Sequence, residues 1–270
     1  MAADDAEVRL ELHRAHSARM YDYYLGGTTN FAADREAAGQ VMAVFPWAET
    51  AARVNRSFMH RSTRLLALAG IRQFLDIGTG IPTRPNLHEI AQQTAPECRI
   101  VYTDNDPIVL AHAQALLLST PQGRTAYVEA DVTDPAAVLA SAQLRATLDL
   151  ARPVALSLNA LLHFVPDSRG AKDIVEYFKS ELPSGSALVI THGSPDFAPE
   201  QAERITQVYA AAGTAVQMRT RDEIARFLDG WELLEPGLVA THRWRPEGGR
   251  PDPAVTDSHA SAYAAVAFKP

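Results

Sequence analysis

Several things are scarce in this chain, and each shortage closes off a class of function. Its 270 residues include a single cysteine, Cys98, so an intramolecular disulfide and a cysteine-based zinc cage are both excluded. The net charge is −7 and no run of lysine or arginine interrupts it. The clustered positive charge that a nucleic-acid backbone requires is therefore missing. No apolar stretch is long enough to span a bilayer, and the acidic opening MAADDAEVRLELHR has no hydrophobic signal region. Internal repeats and low-complexity tracts are absent as well. Together these shortages lead to the expectation of a cytoplasmic protein in a reducing setting, with neither nucleic acid nor membrane as a partner.

What is present is an ordinary globular composition, 47% hydrophobic and 21% charged, at a length that buries one full α/β core with an appendage. From residue 71 onward short apolar runs alternate with amphipathic stretches, which is the rhythm of repeated βαβ units and a parallel sheet. Strands are expected at 72–77, 99–103, 125–130, 154–158 and 187–192. Helices are expected to begin near Pro85, Pro107, Asp134, Ser168 and Pro199. Asp106-Pro107 and Asp134-Pro135 each place an N-capping side chain before a proline at the first helical position. After a helix near 222–228, the extended runs 231–243 and 262–268 are joined too directly for a crossover. They are expected to form an antiparallel pair closing the sheet edge, with the Pro/Gly-rich stretch 245–259 as a mobile loop.

The most informative stretch is QFLDIGTG, residues 73–80. A strand ending in Asp76 and a Gly78-Thr79-Gly80 turn leaves bare backbone at its carboxyl end, where a nucleotide-like ligand can approach. About two dozen residues later the next apolar run ends in Asp104, the position from which a carboxylate at a neighbouring strand tip reaches a ribose. The expectation is a nucleoside cofactor held across the ends of two adjacent parallel strands. Residues 1–70 read as helices broken at Gly26-Gly27. They are unusually rich in Tyr21, Tyr24, Asn30, Arg35 and similar groups, which suggests a lid over a site. Arg35, Arg53, Arg56 and Arg84 read singly as surface or ion-pair residues, but two of them converging above the cofactor would favour a carboxylate or phosphate substrate.

These features together resemble the class I S-adenosylmethionine-dependent methyltransferases. More narrowly, HSARMYDYYLGGTTNFAADREAA, FLDIGTG and VYTDNDPIVLAHA resemble an actinobacterial group within that class. The resemblance implies a Rossmann-like fold: a mostly parallel seven-stranded sheet with an antiparallel last strand in residues 71–270, under an N-terminal helical cap of residues 1–70. It implies S-adenosyl-L-methionine as cofactor and a small-molecule acceptor methylated on oxygen or nitrogen. By position, Asp76, Gly78 and Gly80 match the motif beneath the methionine part, and Asp104 the residue binding both ribose hydroxyls. Asn105 matches a flank of the adenine, and Asp131 with Val132 the pair beside it, the aspartate accepting from the exocyclic amine. Ser157 and Asn159 match the strand end facing the methyl. His163 matches a position often held by histidine and is the first candidate for a base; His192, ending the fifth strand, is a weaker one. Tyr21, Tyr24, Gly26, Asn30, Arg35 and Arg84 are expected around the acceptor or in the lid. No metal site is expected.

Two departures from the family pattern matter. Pro82 stands where many relatives carry a third glycine, which removes a backbone N–H and delays the helix to about 83–85. The Asn-Pro-Pro-Tyr and Pro-Cys motifs of nucleobase methylation are missing. Two other readings stay open at this point. One is a cofactor-binding sensor without catalysis. The other is a nicotinamide oxidoreductase, against which stand Thr83 in the fingerprint's third glycine position and the lack of a Tyr-x-x-x-Lys pair.

Overall fold

The computed structural model describes residues 12–116 and 118–270, so the first eleven residues of the expected cap lie outside the described residues. Five parallel strands follow one another as expected: β1 (Gln73–Ile77), β2 (Arg99–Asp104), β3 (Arg124–Glu129), β4 (Ala155–Asn159) and β5 (Ala187–Gly193). Their spatial order is β3-β2-β1-β4-β5, so the chain reverses its direction of winding between β1 and β4. A ligand crevice at the carboxyl ends of an open sheet belongs at that point. Beyond β5 lies β8 (Ala262–Phe268), antiparallel to it over seven residue pairs from Ala187–Phe268 to Gly193–Ala262.

The run expected at 231–243 is not one strand. It divides into β6 (Glu232–Leu233) and β7 (Val239–Ala240), each only two residues long and each antiparallel to β8, which makes eight strands rather than seven. Pro236 and Gly237 (φ +82°) turn the chain between them. The 245–259 stretch is also more ordered than its composition suggests. Residues 257–260 make a helical turn capped by Thr256, and the His259 ring stacks on Trp47 with centroids 3.8 Å apart.

Two-residue periodicity assigns the strand side chains to faces. Phe74, Ile100, Ala155, Val189 and Val266 pack on one side, and Leu75, Val101, Leu156, Ile190 and Ala265 on the other. Among the described residues, three helices precede β1: α1 (Ser17–Tyr24), α2 (Ala32–Val44) and α3 (Ala48–Leu68). Phe58, Met59 and Leu66 of α3 lie in the same cluster as Phe74 and Ala155. The second half of α3 thus packs on the sheet itself. The first half of α3 joins α1 and α2 in a separate cluster with Ile205 and Tyr209 of α9 (Pro199–Ala211), the helix after β5.

Helix starts follow local chemistry. Asp106 Oδ1 accepts the Ile108 N–H at 2.9 Å, opening α5 (Pro107–Leu116). Asp134 Oδ1 accepts the Ala137 N–H at 3.0 Å, opening α6 (Pro135–Ala140). The helix expected near Pro85 begins later, as α4 (Leu87–Thr94), because Asn86 and Glu89 form a capping box. The one expected near Ser168 starts at Ala171 instead, after a short 3₁₀ turn at Asp167–Arg169 and Gly170 at φ +78°.

Candidate active site

The loop after β1 is shaped by two left-handed glycines, Gly78 at φ +71° and Gly80 at φ +67°. The Gly78 and Thr79 N–H groups donate to the Thr103 carbonyl at 2.8 and 3.2 Å, which ties this loop to the tip of β2. A side chain on Gly78 would stand 2.6 Å from Leu161 Cδ1. The left-handed backbone favours glycine here, and a side chain would also have to push the end of Leu161 aside.

At the end of β2, Asp104 is 6% exposed and faces that loop. Its Oδ2 accepts the Gly80 N–H at 2.8 Å and its Oδ1 accepts the Asp106 N–H at 3.0 Å. Burial raises its pKa, against the pull of those two amides. Asp76, half-buried at the end of β1, has its carboxyl pushed up to about 7 by loss of solvation, with Thr79 and Arg56 opposing the shift.

Both aspartates line a cavity of ≈ 260 Å³ at the carboxyl ends of the strands. One wall is made of strand ends and the loops after them, including Gly78, Gly80, Asn105, Val132, Asn159 and His163. The opposite wall comes from α1, α2, α3 and α9. Tyr21 is built into that wall: its hydroxyl donates to the Ala52 carbonyl at 3.0 Å and accepts from Asn55 Nδ2 at 2.8 Å. Tyr24, Asn55, Asn159 and His163 line the space as well. Asn55 and Asn159 each keep a buried Oδ1, and His163 its Nδ1, with no hydrogen-bond partner within the protein, while the Tyr24 hydroxyl faces that of Tyr209. Such orphaned atoms are costly in a finished core and ask for a ligand.

Not every residue singled out from sequence reaches the cavity. Ser157 sits behind it, its hydroxyl accepting from Asn159 Nδ2 at 2.7 Å, so it positions Asn159 rather than touching the space. Asp131 also stands outside the lining, although its neighbours Ala130 and Val132 are in it. Its Oδ1 is occupied by the Thr133 N–H and hydroxyl, both at 2.8 Å. Gly26, Asn30 and Arg35 build the turn after α1 and are not lining residues. Asn30 Nδ2 donates to the buried Asp22 Oδ2 at 2.8 Å, and Arg35 donates to the Asn30 carbonyl at 2.6 Å. Arg84 is exposed and lies 3.5 Å from Glu89. The aromatic and polar richness of this segment is thus shared between the cavity and a turn that braces it.

The bracing continues through Arg19, which is 3% exposed and was not singled out. Its Nε lies 3.2 Å from Asp106 Oδ2, linking α1 directly to the start of α5. Sequence reading also missed what surrounds the histidines. Arg219 donates to the Leu162 carbonyl at 2.8 Å, to the Val165 carbonyl at 2.9 Å and to Asp167 at 2.6 Å, and its Nη1 lies 2.8 Å from His192 Nε2. Burial, together with that guanidinium, lowers the His163 pKa to about 4. Tyr209, Ile205 and Met218, which also line the cavity, come from or just after a helix that sequence reading treated as a plain crossover. The signal that could have exposed Arg219 is a charged residue between Met218 and the helix N-cap Thr220, a weak one on its own.

The donor set suits a nucleoside carrying a cation. A buried carboxylate beside a glycine loop accepts from a diol, and the open backbone at Gly78 and Gly80 admits close approach. Among the described residues no group of three His, Cys, Asp or Glu side chains is placed to hold a metal ion, and no helix is long and apolar enough to cross a membrane.

Comparison with known proteins agrees with this geometry. A family described as S-adenosyl methyltransferase matches residues 3–270. The chain is similar to a solved DUF574 family protein from Streptomyces avermitilis, at 50% identity over 97% of this chain and 100% of that one, with a TM-score of 0.92. It is also similar to a candidate methyltransferase from Thermobifida fusca, at 36% identity over 96% and 97% of the two chains, with a TM-score of 0.88. A plantazolicin methyltransferase solved with S-adenosylhomocysteine shares the fold at 11% identity over the full length of both chains, TM-score 0.51. No curated protein matches the chain.

Proposed function

The chain belongs to the S-adenosyl methyltransferase family, and from that premise we propose that the cavity seats the cofactor against its strand-end wall and a small-molecule acceptor beneath the helices. The protein is an S-adenosylmethionine-dependent methyltransferase. When bound, the cofactor supplies a methyl group already activated on a sulfonium, which leaves the chain the tasks of alignment, water exclusion and proton removal.

Asp104 accepts the ribose hydroxyls with the lone pairs that Gly80 and Asp106 leave free. Gly78 and Gly80 let the methionine part lie against the backbone, and Asp76 stands by its cationic end. Asn105 and Val132 flank the adenine. Asp131, outside the lining, has only Oδ2, 3.7 Å from Arg169 Nη2, to offer the exocyclic amine. Asn159, steadied by Ser157, faces the transferred methyl, and His163 takes the proton of an oxygen or nitrogen acceptor. The helices of residues 17–68 serve as the cap that excludes water, with α9 as its second half. The reading also includes a cytoplasmic location, supported by a lone buried cysteine.

The observation that carries this reading is the Asp104 carboxylate, buried on the cavity wall and 2.8 Å from the Gly80 amide. Titration calorimetry of S-adenosylmethionine against the protein and its Asp104→Asn and Asp104→Ala variants tests it. Hydrogen bonds to a charged group contribute roughly 1.5–3 kcal/mol, so affinity should fall about tenfold to a hundredfold or more. Unchanged affinity in both variants would remove the ribose assignment.

A further inference from the structure

We propose that the acceptor is an uncharged, largely apolar molecule presenting a hydroxyl group, and that it is methylated on that oxygen. This rests on the methyltransferase reading of the same cavity and names the chemistry of its second occupant.

The helical half of the cavity is apolar. Val41, Phe45, Ala52, Ile205 and Met218 line it, and they belong to the cluster that joins α1, α2, α3 and α9. The ionisable acids and bases on the cavity wall, among the described residues, are His16, Arg56, Asp76, Asp104, His163 and His192, apart from the tyrosines. All but His163 have work elsewhere. Asp104 holds the Gly80 and Asp106 amides. His16 Nδ1 is 3.3 Å from Asp106 Oδ2. Arg56 donates to the carbonyls of Thr83 and Pro85, and its charge acts on Asp76. His192 is held between the Gly193 carbonyl and Arg219.

Of the four arginines whose convergence would have signalled an anionic substrate, only Arg56 lines the space, and it is tied to the loop after Gly80. Among the described lining residues Arg56 carries the one guanidinium, and with Asp76 under its charge it offers no uncompensated cation to a carboxylate or phosphate. The lining carboxylates are Asp76, which accepts from Thr79 Oγ1 at 3.3 Å and lies under the charge of Arg56, and Asp104, which holds two backbone amides, so neither is free for an ammonium. Bringing either ion into such a lobe costs several kcal/mol, because nothing there replaces its hydration.

A hydroxyl is served well. The His163 ring stays neutral at ordinary pH, since burial and Arg219 hold its pKa at about 4. Its Nδ1 is among the unpartnered polar atoms of the lining residues, so the ring has a hydrogen bond still to make. Asn55 Oδ1, buried and unpartnered, and the paired hydroxyls of Tyr24 and Tyr209 supply further polar anchors. In the transfer the acceptor oxygen forms its bond to the methyl carbon while that carbon's bond to sulfur breaks, the electron pair staying on sulfur. The hydroxyl proton passes to His163. An alkylammonium would have to enter as a cation and shed a proton first.

Three probes of one shape separate the classes: naphthol, naphthoate and naphthylmethylammonium, which near neutral pH are neutral, anionic and cationic. Each is titrated into the full chain saturated with S-adenosylhomocysteine. Naphthol is expected to bind about tenfold tighter than either ion, or better. Val216→Lys, which places an ammonium on the lining, is expected to bring naphthoate level with naphthol. Equal or tighter binding of an ion to the unaltered protein overturns the proposal. So does failure of all three probes while S-adenosylhomocysteine binds. Failure of S-adenosylhomocysteine itself to bind would instead count against the methyltransferase reading.

Discussion

Arg219 Nη1 lies 2.8 Å from His192 Nε2, and that contact fixes where the proton sits on a buried imidazole. A guanidinium only donates, so Nε2 must be the bare nitrogen. Nδ1 then carries the hydrogen and donates to the Gly193 carbonyl at 2.7 Å. His163 packs edge-on against this ring, with centroids 5.5 Å apart. Burial lowers the pKa of both rings, and the nearby Arg219 adds to the effect. Both rings are therefore neutral near pH 7.

The pH profile should show it. With cofactor and acceptor saturating, kcat should stay level through 6.5, the ordinary imidazole value, and fall only as pH approaches about 4, where His163 gains a proton. The sign follows from a base that must be neutral to work, with a pKa held low. An acid limb centred on 6.5, or one that persists unchanged in His163→Gln, would remove His163 from the role of base.

Replacing Arg219 should unfold the region around it. Arg219→Met strands the Leu162 and Val165 carbonyls and His192 Nε2, while the exposed Asp167 stays solvated, and leaving buried acceptors unpaired costs roughly 1–3 kcal/mol each. Urea denaturation reads that loss. Arg219→Lys should restore only part of it, since one ammonium cannot reproduce the planar fork. Full recovery by lysine would mean that charge alone matters here.

Two glycines offer a matched pair. Gly78 and Gly26 both hold a left-handed φ, +71° and +76°. Alanine at either site should cost about 1–2 kcal/mol in backbone strain, read as a lowered melting temperature. Only at Gly78 does a new methyl meet a neighbour, Leu161 at 2.6 Å, whereas at Gly26 nothing stands within 4 Å. Gly78→Ala is therefore expected to lose most cofactor affinity in calorimetry while Gly26→Ala keeps it. Equal affinities would mean the loop yields without consequence.

Asp76 should make cofactor binding depend on pH. Its carboxyl is neutral below about 7 and charged above, and a bound cation favours the charged form. Affinity for S-adenosylmethionine is expected to rise as pH increases through 7, with release of a proton on binding. Calorimetry in buffers of different ionisation enthalpy measures that release. A slope that survives Asp76→Asn would assign the proton elsewhere.

Much of the fold was legible because its signals are local. The apolar runs of β1 to β5, the Asp-Pro pairs opening α5 and α6, and the turn at Gly78 each need only a few adjacent residues to act. Register followed from alternation, since Phe74 and Leu75 can only face opposite ways. The split of the 231–243 run into β6 and β7 was harder to see, because its extended residues are stabilised by pairing with β8, some thirty residues on. The site divided along the same line. The spacing from Gly80 to Asp104 marked two strand tips of adjacent strands. Asn30 and Arg35 carried the right chemistry but close a turn around Asp22, while Tyr21 and Tyr24, on the same short helix, face the cavity.

By itself, the order of residues determined the strand rhythm, the glycine loop and the acidic partner one strand away, because each depends on contacts within one βαβ unit. Only tertiary structure decided that α3 packs on both the sheet and the N-terminal helices, that α9 completes the cavity wall, and that Arg219 lies against His192. Those relations join residues far apart along the chain. No local pattern encodes them, since side chains so distant meet only after the hydrophobic clusters have closed.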